Sequence, residues 1–323
     1  MRKRRIAIAG SSGLVGSRLV RHLEANGDEV IRLVRQRPTG PGSVFWDPAG
    51  GQLDAGAIEG VDAVVNLAGV SIAGKRWSAA RKQQILQSRI DATSLLARTM
   101  ATLPNIPRVF ISTSAVGYYG DAGSALLTEA ALRGDGFLAG VCEQWEAAAD
   151  PARQAGIRVV HPRFGIVMAG DGGMLPPIAR LFRFGLGGRI GNGQQFLSWV
   201  DLDDLVAIID FLIDADTMDG PVNAVAPQSV TNVEFTQTLG SVLRRPTSIP
   251  VPALAIRLLM GEMGEELVLA SQRAVPDRLQ DTGFAFRYPS LERSLRHALD
   301  RPAETSPSGN ATFRASSVES GDR

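Results

Sequence analysis

The sequence predicts an α/β protein built on a doubly wound parallel sheet, with a smaller C-terminal substrate lobe interleaved with it. Three observations predict this. A short apolar run, Ile6-Ala7-Ile8-Ala9, enters a glycine-spaced turn, Gly10-Ser11-Ser12-Gly13-Leu14-Val15-Gly16, which opens into a helical segment. Extended and helical patterns then alternate through the first half, as βαβ units do. Ala63-Val64-Val65-Asn66 and Val109-Phe110-Ile111 are unbroken apolar runs, which suits strands covered on both faces.

Taken in order, the expected strands are Arg5–Ala9, Glu29–Val34, Ala63–Asn66, Arg108–Ser112 and Arg158–Arg163. Helices are expected at Gly13–Ala25, Ser78–Leu103 and Cys142–Ala155. Residues 1–165 therefore read as a Rossmann-type NAD(P)-binding domain. Beyond Gly165 the rhythm changes to Gly-rich loops at Gly170–Gly173 and Gly185–Gly193. Helices follow at Val200–Ala215, Thr231–Leu243 and Ala253–Ala274, so residues 166–300 read as the substrate lobe. Residues 301–323 carry Ser, Pro, Gly and charge with almost no apolar periodicity, and read as a disordered tail.

Composition excludes several classes. At 323 residues, with net charge +1 and 44% hydrophobic residues, the chain lacks the concentrated basic face that nucleic acid or an anionic membrane requires. No apolar stretch approaches the roughly 18 residues of a membrane helix. The single cysteine, Cys142, excludes an intramolecular disulfide and suits a reducing cytoplasm. His22, His161 and His297 are scattered without metal-ligand spacing, so no metal is expected. The expected partner is a small-molecule substrate, with a homodimer as the candidate assembly.

The glycine turn carries the cofactor expectation. Gly10 suits a tight turn, Gly13 lets the backbone approach a pyrophosphate, and Gly16 permits close helix–strand packing. The free N–H groups at the helix start, through Leu14, Val15 and Gly16, face phosphate oxygens. At the end of the second strand a carboxylate would bond a ribose 2′-hydroxyl, whereas an arginine accommodates a 2′-phosphate. Val34 holds that position and Arg35-Gln36-Arg37 follows, which favours NADP(H) over NAD(H). Arg35 is the leading contact, with Arg37, Ser11 and Ser12 as further candidates; the alternative is a solvated basic strand end.

From Arg5 to Leu299 the chain resembles the extended short-chain dehydrogenase/reductases: the glycine turn, Asn66-Leu67-Ala68-Gly69 and Ser112-Thr113-Ser114-Ala115 occur in the expected order. More narrowly it resembles the NAD(P)-dependent epimerase/dehydratase subgroup often called YfcH-like. The supporting strings are Gly74-Lys75-Arg76-Trp77, Ser88-Arg89-Ile90, Ser114 through Gly120, Trp145-Glu146, Gly185-Leu186-Gly187-Gly188 and Ser198-Trp199-Val200 before Asp203-Asp204. The resemblance implies cofactor contacts at Leu67, Ala68, Gly69, Arg89 and Arg163, and an active-site serine at Ser114. It implies substrate-pocket lining by Lys75, Trp77, Met168 and Trp199, and a small polar substrate, with sugar nucleotides among the candidates.

That superfamily moves protons with a Tyr four residues before a Lys on one helix, where the ammonium lowers the phenol pKa. None of Tyr118, Tyr119 or Tyr288 is followed by Lys at that spacing. Aligning Trp145-Glu146 places Leu138 and Cys142 at the two positions. Cys142 is then either a functional thiol or a buried packing residue. Tyr118 and Tyr119 either supply the lost phenol or form an aromatic wall. Arg89 replaces an Asn near the cofactor and could hold a substrate anion, a cofactor phosphate or a structural carboxylate. His161 either approaches the nicotinamide or sits in the core. Two functions stay open: an NADP(H)-dependent oxidoreductase or epimerase, and a non-catalytic NADP(H)-binding sensor or partner-binding protein.

Overall fold

A computed structural model describes residues 3–36, 38, 40 and 42–300. Arg37 and the expected tail lie outside the described residues. Eight strands run in order through one sheet: β1 (Arg5–Ala9), β2 (Glu29–Val34), β3 (Ser43–Asp47), β4 (Gln52–Leu53), β5 (Ala63–Asn66), β6 (Val109–Ser112), β7 (Arg158–Phe164) and β8 (Gly220–Ala224). Their spatial order is β8-β7-β6-β5-β1-β2-β3-β4, and the short pair Ser114–Ala115 also joins β7. Every pairing is parallel except β3 with β4. Chain order reverses between β1 and β5, whose ends are level at Ala9 and Asn66. Such a switch point opens a ligand crevice at the carboxyl ends of the strands.

Helices cover both faces because successive residues of a strand point to opposite sides. Ile6 and Ile8 of β1 pack with Leu19 and Leu23 of α1 (Leu14–Ala25) and with Leu205, Ile208 and Ile209. Ala7 and Ala9 join Ala92, Leu96 and Met100 of α2 (Ala79–Ala101) on the other face. The helices α3 (Phe137–Ala147) and α4 (Asp150–Gln154) precede β7. Beyond β7 come α5 (Leu175–Arg183), α6 (Leu202–Asp214), α7 (Asn232–Leu243) and α8 (Ala253–Met260), with a last helix over Leu291–Ala298.

A boundary at residue 165 does not separate two bodies. Helix α6 shares the core of β1 and α1, and β8 closes the sheet beside β7. Arg4 fastens the two halves together, donating to Asp28 at 3.1 Å, Asp210 at 2.8 Å and Asp214 at 2.7 Å. A separate core, built on Trp199, Phe182, Phe235 and Leu295, belongs to the lobe alone.

Several expected elements need correction. Helix α3 begins at Phe137, five residues before the expected Cys142, and Pro151 in the first turn of α4 makes a second helix of the remainder. The single helix expected over Ala253–Ala274 ends at Met260, where Gly261 turns with φ +61°. A π-helical turn follows at Glu265–Leu269, and Arg273–Ala274 is extended. Strands β3, β4 and β8 and helix α5 were not expected. Pro176 and Pro177 in the first turn of α5 are the helix-start signal that the sequence offered. Among the described residues no helix is long and apolar enough to cross a membrane.

Candidate functional site

The turn after β1 is a cradle made by missing side chains. Gly10 has φ +78°, and a Cβ there would lie 2.7 Å from the Leu67 carbonyl. A Cβ on Gly16 would lie 2.1 Å from the Gly10 oxygen. Turn, β5 end and helix can therefore approach only as glycines allow. The Gly13 N–H closes the turn on the Gly10 oxygen at 3.0 Å. Helix α1 has no side-chain cap and no acid in its first turn, which leaves its leading N–H groups for a phosphate. The residues present thus fit a dinucleotide diphosphate. Ser11 is buried and Ser12 exposed at this turn. Arg35, exposed just past β2, has no ion-pair partner among the described residues, whereas Arg32 is paired with Glu24.

Across the crevice, Leu67, Ala68 and Gly69 leave β5. Asn66 shapes that turn: its side-chain oxygen accepts from the Ala68 N–H at 3.1 Å, and its amide donates to Thr93 at 2.9 Å. Thr93 also accepts from the Trp145 indole at 3.0 Å, tying α2 and α3 to the strand end.

Ser114 leads from β6 into a short 3₁₀ turn over Val116–Tyr119. Its hydroxyl is sealed from water and has no hydrogen-bond partner of ordinary geometry among the described residues, the Cys142 thiol being its polar neighbour. Helix α3 packs on this turn through Leu138 and Cys142, the two positions aligned with the superfamily's Tyr and Lys. Cys142 faces the Ala115 oxygen at 3.7 Å. Burial pushes its thiol up to about 11, with the nearby Arg89 charge pulling the other way. It is a neutral packing residue. The start of α3 is held from the far lobe: Glu266 accepts the Phe137 and Leu138 N–H groups at 2.7 and 2.8 Å.

The two tyrosines differ: the Tyr119 hydroxyl is committed, whereas Tyr118 is held through its ring. Tyr119 is 2% exposed, and its hydroxyl donates to Asn223 at 2.7 Å while accepting from Arg163 at 3.0 Å. Burial holds this phenol above its ordinary pKa despite the Arg163 charge. Tyr118 lies against the Arg163 guanidinium, 3.5 Å from its ring centre. Arg163, expected among the cofactor contacts, instead spends its side chain on a two-pronged ion pair with Glu146, both arms 2.9 Å, and on Tyr119. His161 is buried, with Nδ1 3.0 Å from the Ser112 oxygen, and burial pulls its pKa below the usual range. Its place is the core.

Arg89, from α2, is different. Its Nη1 donates to the Val70 and Ile85 carbonyls at 3.2 and 3.0 Å, and its guanidinium lies 4.9 Å from the Trp145 ring. A Cβ on Gly69 would lie 3.3 Å from its Cζ, so the group sits directly behind that turn. Burial lowers its pKa, and no carboxylate pairs with it among the described residues.

Comparison with known proteins decides what this assembly is. An epimerase family protein of Mycobacterium leprae is 42% identical over 94% of this chain and 98% of its own. The human epimerase family protein SDR39U1 is 35% identical over 91% of this chain and 99% of its own. The model of the NAD dependent epimerase/dehydratase family matches residues 6–135, and that of a domain of unknown function, DUF1731, matches 251–298. The chain belongs to the epimerase/dehydratase family. Among solved structures, human SDR39U1 with NADPH superposes with TM-score 0.82 and 33% identity, covering 92% of this chain and 99% of that one. A nucleoside-diphosphate sugar epimerase of Corynebacterium glutamicum has TM-score 0.77 and 37% identity, covering 92% of this chain and 58% of that one.

Within this epimerase-family chain the expected pocket lining divides. Lys75 is exposed; Trp77 is half-buried, donates to the Ile72 oxygen at 2.8 Å and meets Phe137 edge-on. Met168 and Trp199 are 1% exposed and pack in the lobe core, Trp199 donating to Gln228, while Met168 also lines a cavity with Arg18, Asp201 and His297. The parallel register of Ile166–Met168 with Trp199–Asp201 turns both inward. Sequence reasoning missed Glu146 as the partner of Arg163, and Glu266 as the cap of α3. It also missed the meeting of His297 with Asp203, 3.0 Å apart beside Asp201. Those carboxylates are already bonded to Arg18 and Ser294.

Proposed function

We propose that the protein is an NADP(H)-dependent oxidoreductase of epimerase/dehydratase type acting on a small polar substrate, with sugar nucleotides as the first candidates. The observation that carries this reading is the side-chain-free cradle of Gly10, Gly13 and Gly16 against Leu67. Arg35 beyond Val34, without an ion-pair partner among the described residues, supports the phosphorylated cofactor, as does the NADPH held by the human relative. When bound, the nicotinamide donates or accepts a hydride. The backbone N–H groups at the start of α1 hold the diphosphate, and Arg35 balances a 2′-phosphate. Ser114 offers the unpaired hydroxyl to a substrate oxygen, after a side-chain shift that uncovers it. Leu138 and the neutral Cys142 move no proton, which leaves the Tyr118 phenol or bound water as the relay.

A second reading, a non-catalytic NADP(H)-binding protein, is favoured by one observation: Tyr119 is locked to Asn223 and Arg163, which withdraws that phenol from proton transfer. One experiment separates the two. NADPH absorbance is followed with a panel of carbonyl compounds, and sugar nucleotides incubated with NADP⁺ are followed by chromatography of the products, since an epimerisation leaves the cofactor unchanged overall. Turnover that Ser114→Ala reduces by about 100-fold or more supports the enzyme, in line with loss of a positioned acid–base or hydrogen-bonding group. Tight NADPH binding without turnover of any candidate supports the second reading.

A further inference from the structure

We infer that the Arg89 guanidinium is a docking group for a substrate carboxylate, held between the Gly69 turn and the Cys142 floor. The inference rests on the dinucleotide reading of the crevice and adds a substrate class to it. Four observations converge. Arg89 has no carboxylate partner among the described residues, although other half-buried guanidiniums here, such as Arg4 and Arg18, have one or more. Its Nε and Nη2 donate to no protein group, yet they are not among the atoms sealed from solvent. Two carbonyl oxygens and the Trp145 ring clamp the remaining arm, so the fork is fixed before a ligand arrives. The group also interacts electrostatically with Cys142, the position that the superfamily resemblance assigns to its lysine, so α2 supplies a cation where α3 has none.

A desolvated positive charge without a counter-ion is costly, and an anion that pairs with it recovers that cost. A planar fork with free Nε and Nη2 matches a carboxylate edge-on. The alternative anion is the cofactor diphosphate, but the leading N–H groups of α1 already serve it from the opposite wall.

The test titrates oxalate, malonate and succinate into the protein, with and without saturating NADP⁺, by calorimetry. NADPH affinity is measured separately by fluorescence. Wild type is expected to bind at least one dicarboxylate. Arg89→Gln should weaken that binding at least tenfold, and Arg89→Lys should restore part of it. NADPH affinity should stay within about threefold in both variants, which also reports that they fold. The inference is overturned if wild type binds none of the three, or if Arg89→Gln binds them as wild type does. A parallel loss of NADPH affinity in Arg89→Gln would also overturn it, making the guanidinium a cofactor contact. Failure of wild type to bind NADPH would sink the dinucleotide reading instead, while the dicarboxylate titration of the free protein still decides the role of Arg89.

Discussion

The cradle at Gly10–Gly16 and the floor around Ser114 lie at the same end of one sheet, yet they are made of different material. The cradle consists of backbone N–H groups and absent Cβ atoms. The floor consists of side chains, and there Leu138 and Cys142 occupy the positions that the superfamily resemblance assigns to a proton-transfer pair. A backbone site survives as long as its glycines do, while a side-chain site can be rewritten one residue at a time. Holding a nucleotide and performing chemistry on it are therefore separable in this chain.

Four measurements break or sharpen that separation. Glu146→Ala should have the largest effect, leaving Arg163 charged and only 3% exposed. Loss of one partner from a buried pair costs about 3–5 kcal/mol, to be read by urea denaturation. NADPH affinity at the folded protein should be unchanged; a fall would couple floor to cradle. Gly16→Ala should do the converse. Its Cβ, 2.1 Å from the Gly10 oxygen, forces the turn open and should weaken NADPH about 100-fold. Arg35→Ala should weaken NADPH about 10- to 100-fold and spare NADH, as loss of one charge-assisted contact does; equal NADPH affinities would remove Arg35 from the site.

The smallest effect concerns pH. His161 is buried and neutral when folded, whereas the unfolded ring titrates near pH ~6.5. Below that pH the unfolded chain takes up a proton that the folded chain resists. Stability should therefore fall with acidification, by at most about 1.4 kcal/mol per pH unit. His161→Asn keeps a donor toward the Ser112 oxygen and should flatten that slope; an unchanged slope would assign the acid sensitivity to other groups.

The cradle was legible because a few neighbouring residues determine it, and β1, β2 and β5 because their apolar runs are short and cleanly bounded. The start of α3 was not legible, since its cap, Glu266, arrives from the far lobe. Nor was the fate of Arg163, whose position at a strand end suggests a ligand contact until Glu146 folds back upon it. Trp199 reads as pocket lining by its place in the chain, and only the pairing of its short strand with Ile166–Met168 packs it into the lobe core. Arg89 was recognised as a cation out of pattern, but its freedom from a carboxylate emerges only when every neighbour is in place.

One topological detail bears on how the chain is made. Strand β8 is synthesised well after β7, yet it covers β7's outer edge through the Gly220–Val160 register. At about 5–20 residues per second, a ribosome needs roughly 3–10 seconds to pass from Phe164 to Gly220. Throughout that interval β7 presents unpaired peptide groups, the kind of edge that recruits other strands. The glycine cradle is translated first but gains its finished sheet late. Nascent chains halted between those two strands are thus the form of this protein most in need of a chaperone.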